Sequence, residues 1–231
     1  QKLLKALIET GKPIVLVLYY GRPMTLVWED QNMDAILDVW FGGTEGANAV
    51  ADVLFGDVNP GGRLTTSFPV HVGQIPVYHG MLNTGRPDTR LSTKFWSSYL
   101  DIPNEPLYPF GYGLSYTEFS YGDIEMDRDT MEAYTNIVAS VLVTNTGKRN
   151  GSEVVQMYIQ DKVGSISRPK MELKGFQKIV LKPGESQKVY FTIDASDLKF
   201  YDANLKFLAE PGQFELMIGR NAADVKKNPL C

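Results

Sequence analysis

Cysteine is almost absent: among 231 residues there is one, Cys231, at the last position. No intrachain disulfide can form from it, and no thiolate metal site can be built on it. Histidine is nearly as scarce. His71 and His79 stand eight apart in a loop-like stretch, with neither helical i, i+4 pairing nor an adjacent carboxylate pair. They read as surface or packing residues, and no metal or cofactor is expected from them. Long apolar runs are also missing. The run from Pro13 to Tyr20 falls well short of the roughly 20 residues of a membrane-spanning helix, and no basic-then-apolar leader opens the chain. Finally, there is no excess of basic charge. A formal net charge of -4 without a Lys/Arg stripe gives nucleic-acid phosphates nothing to bind.

What is present changes character part-way along. Apolar residues Leu3, Leu4, Leu7 and Ile8 fit one helical face that stops before Gly11 and Pro13. PIVLVLYY then runs apolar without alternation, as a covered parallel strand does, and Gly21 to Pro23 turn into a short helix containing Leu26, Val27 and Trp28. A second unit follows, with a strand from Ala35 to Phe41, a GGT turn, and Ala47, Val50, Ala51 and Leu54 at helical spacing up to Gly56. Two successive βα units predict a parallel sheet. RLTTSFP is expected to add a third strand, with Leu64, Thr66 and Phe68 on one face. Two or three strands make only half of such a sheet, and the helical pattern begins immediately after Gln1. The chain is therefore expected to start inside a larger domain.

From Phe119 onward the apolar period becomes two. Ile137, Ala139, Val141 and Val143, then Val155, Met157 and Ile159, then Val189, Phe191 and Ile193, then Phe214, Leu216 and Ile218 alternate with their neighbours. Turn residues separate these runs around Asn145 to Gly151, Pro183-Gly184, Asp202 to Asn204, and Glu210 to Gly212. About seven such strands read as a β-sandwich, of fibronectin type III-like rather than disulfide-bonded form. At the end, KKNPLC places Pro229 where a ladder donor is needed, so the last strand is expected to be short or frayed.

Between the halves lies LYPFGYGLSYTEF, Leu107 to Phe119, whose five aromatic residues and two glycines suit a packed seam better than a solvated linker. Residues 71–106 precede it as an irregular excursion in which Tyr78, Phe95, Trp96 and Tyr99 argue for order and packing. The expected organisation is therefore α/β plus all-β: the C-terminal part of an α/β sandwich domain over 1–70, a connecting segment and seam over 71–118, and the fibronectin type III-like sandwich over 119–231.

Ser115 in GLSYT lacks the glycine of a nucleophile elbow, and GGTEG matches no nucleotide-binding spacing while setting Glu45 at the helix start. Asp34, Asp38, Glu45, Asp52 and Asp57 read as strand-end or helix charges, and none stands out as half of a catalytic carboxylate pair.

KPIVLVLYYGRP, DAILDVWFGGTEGANAVADVLFGDVNPGGRL, GQIPVY, LNTGRP, LYPFGYGLSYTEF, VTNTGKRNG, VVQMYIQD, SRPKMELKGF and EPGQFELMIG, in this order, closely resemble the C-terminal part of family 3 glycoside hydrolases of the periplasmic β-glucosidase type. The resemblance covers nearly the whole chain. It implies a barrel domain, an α/β sandwich and a fibronectin-like domain in succession, and removal of terminal β-linked glucose with retention of configuration. In that family the nucleophile is a barrel aspartate, and the acid/base is a glutamate on a loop preceding the helix that matches Gln1 to Thr10. Neither falls within this sequence, so the resemblance implies no catalytic residue here, no cofactor, and an inactive chain when isolated. The partners it implies are β-glucosides or gluco-oligosaccharides and the missing N-terminal barrel domain, in a periplasmic or secreted setting, with homo-oligomer formation left open. Arg86 in LNTGRP is the candidate substrate-binding residue, although Asp88 stands where the family often has an aromatic. Two other readings stay open: a non-catalytic carbohydrate-binding or interaction module, and a flavodoxin-like ligand binder.

Overall fold

The computed structural model describes residues 1–86, 97–132 and 135–231. Its first part contains α1 (Lys2–Ile8), β1 (Val15–Leu18), α2 (Val27–Asn32), β2 (Ala35–Asp38) and α3 (Gly46–Phe55). β1 and β2 are parallel and in register from Val15↔Ala35 to Leu18↔Asp38, as two consecutive βα units require. α3 stops at Gly56, whose φ of 83° is the left-handed cap that glycine adopts without a Cβ penalty.

This part is thinly covered. α1 buries no residue, and Leu3 and Phe55 are 71% and 85% exposed. The expected third strand is not there. Residues 64–68 pair with the seam instead of with β1 or β2: Leu64 N donates to Tyr112 O, Gly111 N to Leu64 O, Phe68 N to Tyr108 O and Leu107 N to Phe68 O. Alternation alone cannot say which backbone supplies the partners.

The second part is built from β3 (Phe119–Tyr121), β4 (Glu125–Met126), β5 (Ile137–Asn145), β6 (Gly151–Asp161), β7 (Glu172–Leu181), β8 (Ser186–Ile193), α4 (Ala195–Leu198), β9 (Phe200–Tyr201), β10 (Phe207–Leu208), β11 (Phe214–Asn221) and β12 (Asp224–Leu230). One four-stranded sheet runs β12-β11-β6-β7, and the other has β8 along one side of β5 with β3 and β4 along its other side. Their inner faces enclose the apolar cluster of Ile137, Val141, Val155, Met157, Leu181, Ile193, Leu216 and Ile218, among others. The alternating runs legible in the sequence lie in β5, β6, β8 and β11.

The expectation of a frayed C-terminus is overturned. β12 pairs with β11 from Asp224 to Leu230, and Leu230 is buried in the core. Beyond it, Cys231 N donates to Asp129 O and Met131 N to Cys231 O. Pro229 is tolerated because β12 is the sheet edge, where an outward N–H would have no ladder partner to lose.

The seam joins the two parts through side chains. Asn59 Oδ1 accepts from Ser115 Oγ and Tyr116 N, and Asn59 Nδ2 donates to Asn150 O. Tyr116 Oη donates to Val53 O, and Arg149 reaches Gly56 O. Gln156, buried where the outer face of β6 meets the seam, donates from Nε2 to Gly111 O and Arg220 O and accepts from Tyr158 Oη.

Candidate functional site

In α/β sheets ligands approach the carboxyl ends of the strands. At those ends β1 delivers Tyr20 and β2 delivers Asp38 and Trp40. Their rings pack edge-on, with centroids 5.4 Å apart for Tyr20 and Trp40, and both lean on buried Phe68 at 6.3 and 6.0 Å. Phe68 continues the row to Tyr108 at 5.8 Å, and Tyr108 stacks on Tyr112 at 5.1 Å. The backbone turns here through Trp40 at φ 54°, a left-handed angle that a bulky residue holds only when its surroundings enforce it.

Charge in this row is held under tension. Asp38 Oδ1 accepts from Trp40 N at 3.2 Å, while Oδ2 and Tyr20 Oη are both buried without a well-formed hydrogen bond. Burial raises Asp38 above the usual carboxylate range, against the lowering pull of Trp40 N–H and Tyr20. Burial first, then the Asp38 charge, pushes the Tyr20 phenol up. Tyr108 donates to Asp30 at 2.6 Å and is likewise raised, by burial and then by Asp30. The row is an aromatic wall with an incompletely satisfied carboxylate.

The other candidate carboxylates have structural or solvent-exposed places. Asp34 Oδ2 accepts from Ile14 N, tying the start of β2 to that of β1, and Glu45 accepts from Asn48 at the head of α3. Asp52 and Asp57 lie exposed on α3 and in the turn after it. Ser115 is engaged with Asn59 and the backbone of Thr117. His71 caps a short helical turn by accepting from Gly73 N. His79 packs between Phe110 and Tyr158, and burial lowers its pKa. Among the described residues no group of three or more His, Cys, Asp or Glu side chains is placed to hold a metal ion, and no helix is long and apolar enough to cross a membrane.

Arg86 lies in a separate stretch, in the turns of residues 83–86. Asn83 Oδ1 accepts from Gly85 N and Thr84 Oγ1 from Arg86 N, each at 3.3 Å, and Arg86 O accepts from Ser97 N at 3.1 Å. The excursion around it is held by hydrogen bonds where described. Gln74 is buried and bonds to Val70 N and to the carbonyls of Pro103 and Glu105, while Tyr99 N donates to Asn104. Phe95, Trp96 and Asp88 lie outside the described residues.

Residues 1–116 match the model of the glycosyl hydrolase family 3 C-terminal domain. The chain belongs to glycosyl hydrolase family 3. Residues 153–222 match a fibronectin type III-like domain, in agreement with the sandwich. Among relatives of this family member, the periplasmic beta-glucosidase of Salmonella typhimurium is 57% identical over 97% of the chain and 30% of its own length. A beta-xylosidase of Formosa agariphila is 44% identical over 96% of the chain and 30% of its own length. The beta-glucosidase of Listeria innocua in complex with glucose superposes with a TM-score of 0.95 at 40% identity, covering 99% of the chain and 32% of that protein. The chain thus spans about 30% of the length of the curated relatives it matches.

Proposed function

We propose that this chain is the C-terminal portion of a retaining β-glucosidase, in which it completes an α/β domain and anchors it to a fibronectin type III-like sandwich. The observation that carries the reading is the 57% identity to a periplasmic beta-glucosidase along 97% of the chain. The thin cover over α1 and β1 supports it, because exposed apolar faces such as Leu3, Leu7 and Val15 suit the remainder of an α/β domain. The division at 70 and 118 follows the same reading, as does a periplasmic setting.

In a retaining glycosidase two carboxylates stand about 5 to 5.5 Å apart. The family resemblance assigns both to segments outside this chain. Arg86 is proposed to contact sugar hydroxyls from the rim, where a planar guanidinium gives directed hydrogen bonds.

The test is hydrolysis of aryl β-glucoside and aryl β-xyloside by the purified chain, alone and with a polypeptide supplying the barrel and acid/base loop. Glucoside cleavage only after complementation is expected. Turnover by the chain alone would sink the assignment of the catalytic pair to other segments, and a preference for the xyloside would move the substrate toward that of the Formosa relative.

A further inference from the structure

The stretch that leads into the turns of residues 83–86 is carried by the sandwich. Leu82 forms an antiparallel bridge with Pro169, and Lys170 N donates to Met81 O at 2.9 Å. Just before them, the His79 ring lies 4.3 Å from Phe110 and 5.7 Å from Tyr158, on the outer face of β6. Residues 79–82 therefore form a strap laid on the second domain, and the two turns of residues 83–86 grow from its end.

The strap's anchor, Pro169 and Lys170, is the return arm of the long β6–β7 hairpin, and Arg168 organises that hairpin. Its Nη2 donates to Glu172 Oε2 at 2.8 Å, its guanidinium lies 4.2 Å from the centre of the Phe200 ring, and its Nε forms an ion pair with Asp161 Oδ2 at 3.7 Å, both atoms buried without a hydrogen bond. The side chain is 13% exposed. Asp161 Oδ1 also accepts from Val163 N, and nearby Glu210 Oε2 accepts from Ser165 N, so two carboxylates bind the outgoing arm. A planar fork can meet two carboxylates while lying over an aromatic ring, which a lysine cannot do. Without that cation, Asp161, Glu172 and Glu210 would be left as like charges around the base of the hairpin.

We propose that Arg168 is a positioning residue for substrate binding: it fixes the β6–β7 hairpin so that Pro169 and Lys170 hold Met81 and Leu82, and through them the loop bearing Arg86. The inference rests on the reading of Arg86 as a sugar contact. It gives the fibronectin type III-like domain a part in substrate affinity, since a side chain displaced by about an ångström loses most of its contribution to an aligned complex.

The test uses the full-length enzyme that contains this chain, comparing Arg168→Ala, Arg168→Lys, Glu172→Gln and Arg86→Ala. Arg168→Ala is expected to raise KM roughly three- to tenfold with kcat per active site nearly unchanged. Arg168→Lys recovers little of that loss, and Glu172→Gln shifts KM in the same direction. In an Arg86→Ala background, Arg168→Ala adds no further change, because the two act in series. A damaged fold would instead lower the fraction of active sites without raising KM. If Arg86→Ala raises KM while both Arg168 variants and Glu172→Gln leave it unchanged, the positioning role is overturned. If Arg86→Ala leaves KM unchanged, the sugar-contact reading fails by itself. Hydrogen exchange at amides 80–86 then decides the rest, with faster exchange in Arg168→Ala upholding the mechanical link and unchanged exchange refuting it.

Discussion

Arg63 and Glu153, 90 positions apart, form a buried ion pair across the junction of the two parts, with Nη2 3.0 Å from Oε2 and side chains 8% and 3% exposed. Arg63 follows the turn after α3 and Glu153 sits on β6, so the pair ties the α/β segment to the sandwich. Glu153 Oε1 also accepts from Val154 N. Removing one charge leaves the other buried and uncompensated. Arg63→Met is expected to destabilise the junction by about 3 to 5 kcal/mol, while the double variant Arg63→Met/Glu153→Leu recovers most of that loss. Chemical denaturation of the three proteins checks this, and equal midpoints for single and double variants would refute it.

Gly111 occupies the centre of the seam at φ 81°, and a Cβ there would overlap the side-chain amide of Gln156. That amide is bonded to Gly111 O, Arg220 O and Tyr158 Oη. Gly111→Ala combines left-handed backbone strain with disruption of a buried polar network, and should cost about 3 kcal/mol. Gly184→Ala is the control: it shares the positive φ, at 75°, but meets no atom within 4 Å. It should cost only about 1 kcal/mol. Equal losses in thermal unfolding would mean the Gln156 contact is immaterial.

His79 supplies a pH dependence. Burial lowers its pKa, so the unfolded chain binds this proton more readily than the folded one. Stability is therefore complete above the unfolded value of about 6.5 and falls as pH drops from there through the folded value. Urea midpoints measured at about pH 7.5 and about pH 5.5 should differ less in His79→Phe than in the parent. A parent-like slope in the variant would assign the pH dependence elsewhere.

The C-terminus gives a sharper contrast. Leu230 is a core residue, whereas its neighbour Cys231 is exposed. Leu230→Ala should cost about 3 kcal/mol through lost burial and a cavity, and Cys231→Ser should change stability by less than about 0.5 kcal/mol. If denaturation found both substitutions silent, β12 would not be holding in solution.

The sequence by itself determined the succession of a parallel βα segment and an antiparallel sandwich. Period is a local property: PIVLVLYY and the alternating runs in β5, β6, β8 and β11 announce which backbone geometry buries their apolar side chains. Family membership was legible for the same reason, in motifs such as LYPFGYGLSYTEF read along the chain. Tertiary structure alone decided which backbone pairs with residues 64–68, that an edge position lets Pro229 sit inside a strand, and that Leu82 meets Pro169. It also decided that Asp38 is half-buried beside Tyr20, with its Oδ2 shut off from water, while Asp34 and Glu45 take structural bonds. Each of these depends on contacts between distant segments, and a residue's own neighbours in sequence carry no record of which distant surface will supply its hydrogen bonds or remove its water.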